Sequence, residues 1–403
     1  MSNIIAIGAG QAGLSVSVKL RKLGFDGTIT LVGAEPFAPY QRPALSKAYL
    51  LGDMALERMY LRPKNFYSEN EINLKLGHPV TKINRDEKKI SFGAEVLPYD
   101  HLVLTTGSIP RQLPKAVNGG LDGVFVLRTL ADVDYLEPLF CQGASLLVVG
   151  GGYTGLEIAA VATKSGLSVT LVEAADRILK RVAASETSDY FRTLHTSYGV
   201  DIREGISLEM LEGKDGRVKS ALLSDASRLD VDFVVVGIGV TPSTDLARTA
   251  GLEIDNGIKV NAYCQTSDLS IWAAGDCASF PFRGDRVRLE SVPNAIDQAE
   301  CVAQNIMGAD QKYLAKPWFW SDQYDIKLQI TGLNTGYDRV ITRPGIGPST
   351  SHWYYRGAEL LAVDAMNSPR AYMVGKQRID RGKSPAISKV ADLEIDLKSL
   401  RLN

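Results

Sequence analysis

The chain lacks the means to build a redox centre from its own side chains. Of 403 residues only four are cysteine and four are histidine. Cys141, Cys264, Cys277 and Cys301 include no CxxC or other close pair, and His78, His101, His195 and His352 are as widely spaced. No zinc or iron–sulfur ligand spacing is present, so the expected metal set is none. Each histidine is expected to be a surface or satisfied core residue. Charge bias is missing too: 45 Lys+Arg against 46 Asp+Glu leave a net charge of −1, without a long basic run. Nucleic acid therefore finds no electrostatic foothold. No stretch reaches the ~20 consecutive apolar residues of a bilayer span. The first strand-like run starts at Asn3, so no cleavable leader is expected. A soluble, cytoplasmic protein is expected, and any redox centre it carries is expected to be a bound organic cofactor.

Glycine, by contrast, occurs in two telling places. Gly8-Ala9-Gly10-Gln11-Ala12-Gly13 follows the apolar run 4–7, and Gly150-Gly151-Gly152-Tyr153-Thr154-Gly155 follows 146–149. Each run reads as a strand and each loop opens a helix-like stretch, the context that makes GxGxxG informative. The first glycine permits a tight turn, the second lets backbone approach a pyrophosphate, and the third packs helix against strand. The helix N-terminus faces the anion. An acid follows each loop at the reach of an adenosine ribose: Glu35 after the strand 28–32, and Glu173 after the strand 168–172. One such loop alone is as often an ordinary turn. A duplicate with both acids points to two dinucleotides exchanging electrons.

A degraded repeat extends beyond the loops. Residues 99–110 read YDHLVLTTGSIP and 231–242 read VDFVVVGIGVTP. Continuous hydrophobic runs of this kind suit strands buried on both faces of a parallel sheet. Short alternating stretches at 72–76, 80–83 and 89–92 read as a small antiparallel insertion. Residues 270–278, SIWAAGDCA, read as another buried strand ending in Gly275-Asp276. From Pro317 the pattern changes: alternation at 327–330, 339–342 and 352–355 predicts an antiparallel sheet, with a helix near 371–379. The expected fold class is α/β: two Rossmann-like dinucleotide-binding domains plus a C-terminal α+β domain that ends in a polar, poorly determined tail.

The two loops, Asp276 and the segments PYQRPALSK (39–47), RLESVPNA (288–295) and PWFWSDQY (317–324) together resemble flavoproteins of the glutathione-reductase superfamily. More narrowly, they are similar to the FAD-dependent NADH–ferredoxin reductases of bacterial oxygenase systems, the putidaredoxin reductase type. The resemblance implies FAD at the first loop and NADH at the second. It implies a discontinuous FAD-binding domain at 1–108 and 243–316, an NAD-binding domain at 109–242, and the C-terminal domain at 317–403. For FAD it implies contacts from Gly8, Gly10, Gln11, Ala12, Gly13, Ala34, Glu35, Arg42, Lys47, Val80, Thr106, Gly107, Arg128, Gly275, Asp276, Val292 and Trp320. For NADH it implies Gly150, Gly152, Tyr153, Thr154, Gly155, Glu157, Glu173, Arg181, Gly237, Ile238 and Gly239. Asp276 is expected at the opening of the following helix, where an Asp serves as N-cap, as ligand contact, or as both.

Lys47 and Glu157 are the implied catalytic pair: a cation beside flavin N5, favouring the reduced ring, and its carboxylate partner. Without the resemblance they read as a solvated helix lysine and a helix surface acid. Tyr153 is expected to cover one flavin face and Trp320 the other, with Trp318 and Phe319 packing in the core. Disulfide-reductase relatives carry a cysteine pair near 41–47, whereas this chain has no cysteine before Cys141, which excludes a thiol relay there. A flavin accepts a hydride and releases electrons singly. The expected acceptor is therefore a small [2Fe–2S] ferredoxin serving an oxygenase such as a haem-thiolate monooxygenase. The alternatives are a rubredoxin acceptor, or a redox-sensing association role like that of apoptosis-inducing factor. Glu173 facing a 2′-phosphate predicts NADH over NADPH, with Arg177, Lys180 and Arg181 softening the repulsion. Arg62, Lys64, Arg286 and Lys327 are the candidate cations for an acidic ferredoxin. A monomer is expected.

Overall fold

The architecture comes from a computed structural model that describes residues 2–118 and 120–401. Two parallel five-stranded sheets repeat one plan. In the first, Asn3–Ile7 lies between Thr28–Gly33 and His101–Leu104, with Ile72–Leu76 and Ile271–Ala273 at the edges. In the second, Ser145–Val149 lies between Ser168–Glu173 and Phe233–Val236, with Asp201–Glu204 and Val124–Phe125 at the edges. The uninterrupted apolar strands have a plain cause. Ile4, Leu31 and Val103 pack into one core cluster, while their neighbours Ile5, Val32 and Leu104 pack into another. Side chains alternate faces along a strand, so a sheet covered on both sides needs apolar residues throughout.

Two compact units make up the chain. One comprises Met1–Gln41, Ala55–Ile109 and Val240–Pro317; the other comprises Arg42–Met54, Pro110–Gly239 and Trp318–Asn403. The expected segment 1–108 is thus interrupted, because Arg42–Met54 belongs to the second unit. The C-terminal residues also share the second unit rather than forming a unit of their own.

Local readings change in three places. Ile72–Leu76 is a parallel edge strand paired with Thr28–Gly33, not part of the antiparallel insertion. A half-buried edge strand alternates just as a hairpin strand does, so periodicity does not separate them. The insertion is the meander Lys82–Asn84, Lys89–Phe92 and Glu95–Pro98. Secondly, no helix opens at Asp276: the strand Ala278–Phe282 follows it. The next helix, Val292–Ile306, is capped by Ser291, whose side chain accepts from the Asn294 amide.

The third change concerns the chain end. An antiparallel sheet runs in the order Trp318–Gln323, Ile326–Gly332, Glu359–Met366, Thr350–Arg356, Arg339–Pro344. The helix Pro369–Asp380 packs on it. The tail beyond is docked, not loose: Val390 and Leu400 are buried in one cluster with Trp353 and Tyr355. Arg343, also buried, donates to the carbonyls of Val390 (2.9 Å), Asp392 (2.7 Å) and Ile395. A guanidinium clamped by carbonyls has no sequence period, which is why the sequence predicts only a poorly determined tail. Buried polar groups tie the helix Ser185–Ser197 to this sheet. Thr187 Oγ1 donates to Asp364 Oδ2 at 2.8 Å and lies 2.7 Å from His352 Nδ1. His195 Nε2 lies 2.8 Å from Gln323 Oε1. Burial lowers His195 and His352 to about 4 and raises Asp364 to about 6.

Replacing Arg343 with Gln is expected to destabilise the protein by about 3 kcal/mol, since charge-assisted bonds are lost and carbonyls left unpaired. Urea denaturation measures this, and a change near zero would mean that the clamp holds nothing. The histidines set an acid limb. They are neutral when folded and charge on unfolding, so their contribution is complete above pH 6.5 and is lost as pH falls toward 4. Asp364 opposes them between pH 4 and 6, because the folded form keeps a proton that the unfolded chain releases. His352→Asn should therefore flatten the fall in unfolding free energy by up to about 1.4 kcal/mol per pH unit. Asp364→Asn should steepen it by a similar amount. Curves parallel to wild type would contradict both assignments.

Candidate functional site

Each glycine loop sits at the carboxyl end of the central strand of its sheet. Gly8 has φ +117° and Gly150 φ +107°. A Cβ on Gly8 would lie 2.1 Å from the Thr105 carbonyl oxygen, and one on Gly13 would lie 2.1 Å from that of Gly8. In the second loop a Cβ on Gly150 would lie 2.6 Å from the Gly237 oxygen, and one on Gly155 2.0 Å from that of Gly150. These four glycines serve the protein's own close approach. Gly10 and Gly152 differ. Each is the N-cap of its helix, Gln11–Lys22 or Tyr153–Lys164, without a side-chain capping bond, and a Cβ there would meet nothing within 4 Å. The protein itself does not demand glycine at either place. A pyrophosphate drawn against the first amides of the helix does, so both loops fit a dinucleotide.

Around the first loop the structure gathers many of the expected residues. Ala12 is buried in the helix, and its Cβ lies 3.2 Å from where a Cβ on Gly275 would stand. The Gly275 amide donates to Gln298 Oε1 at 2.9 Å, and Asp276 Oδ2 accepts from Ser108 Oγ at 3.0 Å. Thr106 Oγ1 donates to the Ser243 carbonyl at 2.7 Å, beside Gly107 with φ +70°. Glu35 Oε2 accepts from the Tyr40 hydroxyl at 2.5 Å. Ala34 is exposed, Gln11 Nε2 lies 3.4 Å from Ser15 Oγ, and Val292 opens its helix. Val80 packs against the apolar core. Thr105, which sequence reasoning passed over, donates its Oγ1 to the carbonyls of Ile7 (3.0 Å) and Gly8 (2.9 Å). It lies in the TTG run at the end of the closing strand.

In the second unit Glu173 is anchored by backbone. Its Oε2 accepts from the Gly151 amide and its Oε1 from the Ala175 amide, both at 2.8 Å. A carboxylate has further lone pairs for ribose hydroxyls. Two of the cations expected nearby are engaged elsewhere. Arg177 donates to Ser188 Oγ (2.6 Å) and the Ala183 carbonyl (2.9 Å), and Lys180 pairs with Asp176 at 2.9 Å. Arg181 is exposed, its Nη2 3.3 Å from where a Cβ on Gly239 would stand. Gly237 donates its amide to the Val149 carbonyl at 2.7 Å, which holds Gly237, Ile238 and Gly239 beside the loop.

Arg42, Lys47, Arg128 and Trp320 also belong to the second unit. Arg42 Nη1 donates to the Arg128 carbonyl at 2.6 Å. Lys47 Nζ lies 2.9 Å from Glu157 Oε1, and Glu157 is only 7 % exposed. The solvated reading of this pair is therefore wrong. Ser46 Oγ donates to Glu157 Oε2 and Ser321 Oγ to Oε1, each at 2.6 Å. Both serines stood in the segments that carried the resemblance, yet nothing local marked them as ligands of an acid. Tyr153 packs on Phe319, ring centroids 4.9 Å apart, and Trp320 on Trp318 at 5.6 Å. The Tyr153 hydroxyl is buried without a hydrogen-bond partner among the described residues, and burial pushes its pKa well above the usual range. Thr154 is exposed.

Of the docking cations, Arg286 is taken up internally, donating to the carbonyls of Val260 (3.0 Å) and Ser279 (2.5 Å). Arg62 lies over the Phe66 ring at 5.3 Å, while Lys64 and Lys327 are exposed. Among the described residues no group of three or more His, Cys, Asp or Glu side chains could hold a metal ion.

Comparison with known proteins agrees over the whole length. The family model for pyridine nucleotide-disulphide oxidoreductases matches residues 2–299, and that for the reductase C-terminal domain matches 318–401. Rhodocoxin reductase of Rhodococcus erythropolis is 43% identical, covering 98% of this chain and 93% of its own. Putidaredoxin reductase CamA of Pseudomonas putida is 42% identical, covering 99% and 96%. The crystal structure of the covalent putidaredoxin reductase–putidaredoxin complex matches with a TM-score of 0.95 at 41% identity, covering 99% of this chain and 98% of that one.

Alanine at the second glycine of each loop separates binding from folding. Gly10→Ala and Gly152→Ala should each leave thermal unfolding of the ligand-free protein within about 2 °C. Each should weaken its own dinucleotide at least tenfold, or about 1.4 kcal/mol, by titration calorimetry. Unchanged affinities would remove the loops from the binding sites.

Proposed function

The chain belongs to the pyridine nucleotide-disulphide oxidoreductase family, and from that premise we propose that it passes electrons from NADH, through FAD, to a small [2Fe–2S] ferredoxin serving an oxygenase. It is a flavoprotein reductase whose cofactors are FAD and NADH. The observation that carries the reading is the doubled loop, with Gly10 and Gly152 both kept clear by the protein; the Lys47–Glu157 pair, whose acid is buried, adds to it. FAD, when bound, supplies the conversion of a two-electron donor to one-electron delivery.

The residues of the chain have the remaining tasks. The first loop takes the FAD pyrophosphate, Glu35 its ribose, and Thr106, Gly107, Gly275 and Asp276 the parts nearer the ring. The second loop takes the NADH pyrophosphate and Glu173 its adenosine ribose. Lys47, oriented by Glu157, presents a positive charge that favours the electron-rich reduced ring. Tyr153 and Trp320 cover the ring, and Arg42 and Arg128 hold the flavin nucleotide. Sulfur has no place in this route, since no cysteine stands between Glu35 and Cys141. A ferredoxin partner is supported by the putidaredoxin complex of the related reductase. We assign the active form as a monomer. No helix among the described residues is long and apolar enough to cross a membrane.

The decisive experiment is a visible spectrum of the purified protein, then NADH titration and stopped-flow reduction of [2Fe–2S] ferredoxins and a rubredoxin. A flavin spectrum bleached by NADH, with ferredoxin reduced fastest, is expected. Colourless protein after reconstitution, or equal turnover with oxygen alone, would overturn the reading. Lys47→Met should slow NADH-driven bleaching by roughly a hundredfold, and rates like wild type would remove Lys47 from the chemistry. Glu173→Ala frees two backbone amides and removes a repulsive charge. The NADH preference, at least about tenfold in wild type, should fall toward unity in this variant.

A further inference from the structure

Behind Glu157 the hydrogen bonds do not stop at Ser321. Ser321 and Gln323 stand two apart on the strand Trp318–Gln323, where alternate side chains share a face. Gln323 Nε2 lies 3.2 Å from Ser321 Oγ. His195, on the helix Ser185–Ser197, places its Nε2 2.8 Å from Gln323 Oε1. The other ring nitrogen, Nδ1, lies 3.4 Å from the Tyr324 hydroxyl. Ser321, Gln323 and His195 are all buried. Tyr324 in turn stacks on the exposed Tyr198, ring centroids 3.7 Å apart. One file of polar groups, all within the second unit, thus runs from near the surface to the carboxylate that pairs with Lys47.

The direction of every bond in the file is fixed from its inner end. The Glu157 carboxylate, paired with Lys47, has no proton to give, so the 2.6 Å contact takes the single hydroxyl proton of Ser321. Ser321 can then only accept from Gln323, which puts the amide nitrogen on that side and the amide oxygen on the other. The imidazole nitrogen facing that oxygen must carry a proton. Burial lowers the His195 pKa to about 4, so the ring is neutral at pH 7. A neutral ring protonated at Nε2 has a bare Nδ1, which accepts from the Tyr324 hydroxyl. We propose that His195 is a positioning residue for the flavin site, a role that rests on that of Lys47 given above. By donating from Nε2 it sets the Gln323 amide, which aims the Ser321 proton at Glu157 and so holds the acid that orients Lys47. Without the imidazole donor the amide is free to turn over, and its oxygen then draws the Ser321 proton away. Glu157 Oε1 keeps only Lys47 of its two partners, the carboxylate turns about its last bond, and the ammonium follows.

The test uses FAD-reconstituted protein and two kinds of measurement. In nitrogen-15 spectra of histidine-labelled protein at pH 7, His195 should be the Nε2–H tautomer, and a proton on Nδ1 would overturn the direction of the file. The second measurement is rapid mixing with NADH. His195→Phe keeps a ring beside Tyr324, where the centroids lie 5.0 Å apart, but has no donor; His195→Gln loses the ring and keeps a donor. His195→Phe should slow flavin bleaching about tenfold while the NADH dissociation constant stays within about twofold. His195→Gln should stay within about threefold of the wild-type rate. Gln323→Glu, which keeps the shape and accepts on both sides, should slow bleaching as His195→Phe does, and stands in for it where that variant does not fold. Ser321→Ala should slow it equally, and adding His195→Phe to Ser321→Ala should slow it no further. A packing role predicts the reverse order, Phe near wild type and Gln slow; that order, or additive losses in the double variant, would overturn the proposal. Lys47→Met tells the two levels apart. Wild-type bleaching in that variant sinks the role of Lys47 and the file together, whereas slow bleaching there beside a wild-type rate in His195→Phe sinks the file alone.

Discussion

A buried carboxylate organises the second unit. Glu157 lies on the helix that the second glycine loop opens, and it has left water almost entirely. An ionised acid in such a place is tolerated only with its charge opposed and its lone pairs used. Lys47 and Ser46 reach it from the 42–54 segment, and Ser321 reaches it from the strand Trp318–Gln323. One acid thereby fixes three stretches of chain that are remote in sequence. The ammonium of Lys47 gains an orientation that a surface lysine would not have. The same interaction that holds the unit together also sets the charge proposed to act on the flavin.

The two nucleotide loops show how one solution is used twice with different supports. In both, the first and third glycines are consumed by the protein's own close approach, and the second is left for a ligand. The acids are held differently. Glu35 is steadied by a tyrosine hydroxyl, whereas Glu173 is pinned by the amides of Gly151 and Ala175. Glu173 is thus part of the backbone scaffold of its loop as well as the proposed ribose acceptor. The loop's anchoring and the proposed nucleotide preference meet in one residue.

Much of this was legible because its causes are local. Apolar runs become central strands since both sheet faces are covered, and glycine spacing becomes a phosphate loop since only glycine permits the turn. Lys47 and Glu157 were readable through the resemblance, though not from their own neighbourhoods. Ser46, Ser321 and Thr105 were in plain view without a role, because a hydroxyl acquires its function from what faces it. Ile72–Leu76 was misplaced because an edge strand and a hairpin strand share one alternation. Asp276 was set at a helix start that belongs to Ser291. The docked tail was invisible, since Arg343 holds it through carbonyl groups that every residue possesses.

Linear order alone determined the repeated strand–loop–helix plan, the two acids and the exclusion of cysteine from the flavin segment. These depend on residues within one element or one turn of each other, where identity dictates conformation. Folding alone decided which far-separated groups share a dry environment: Glu157 with its lysine and two serines, and Arg343 with the tail. The energy of a buried charge or a clamped guanidinium comes from exclusion of water and from direction. Neither exists until the chain has closed around them.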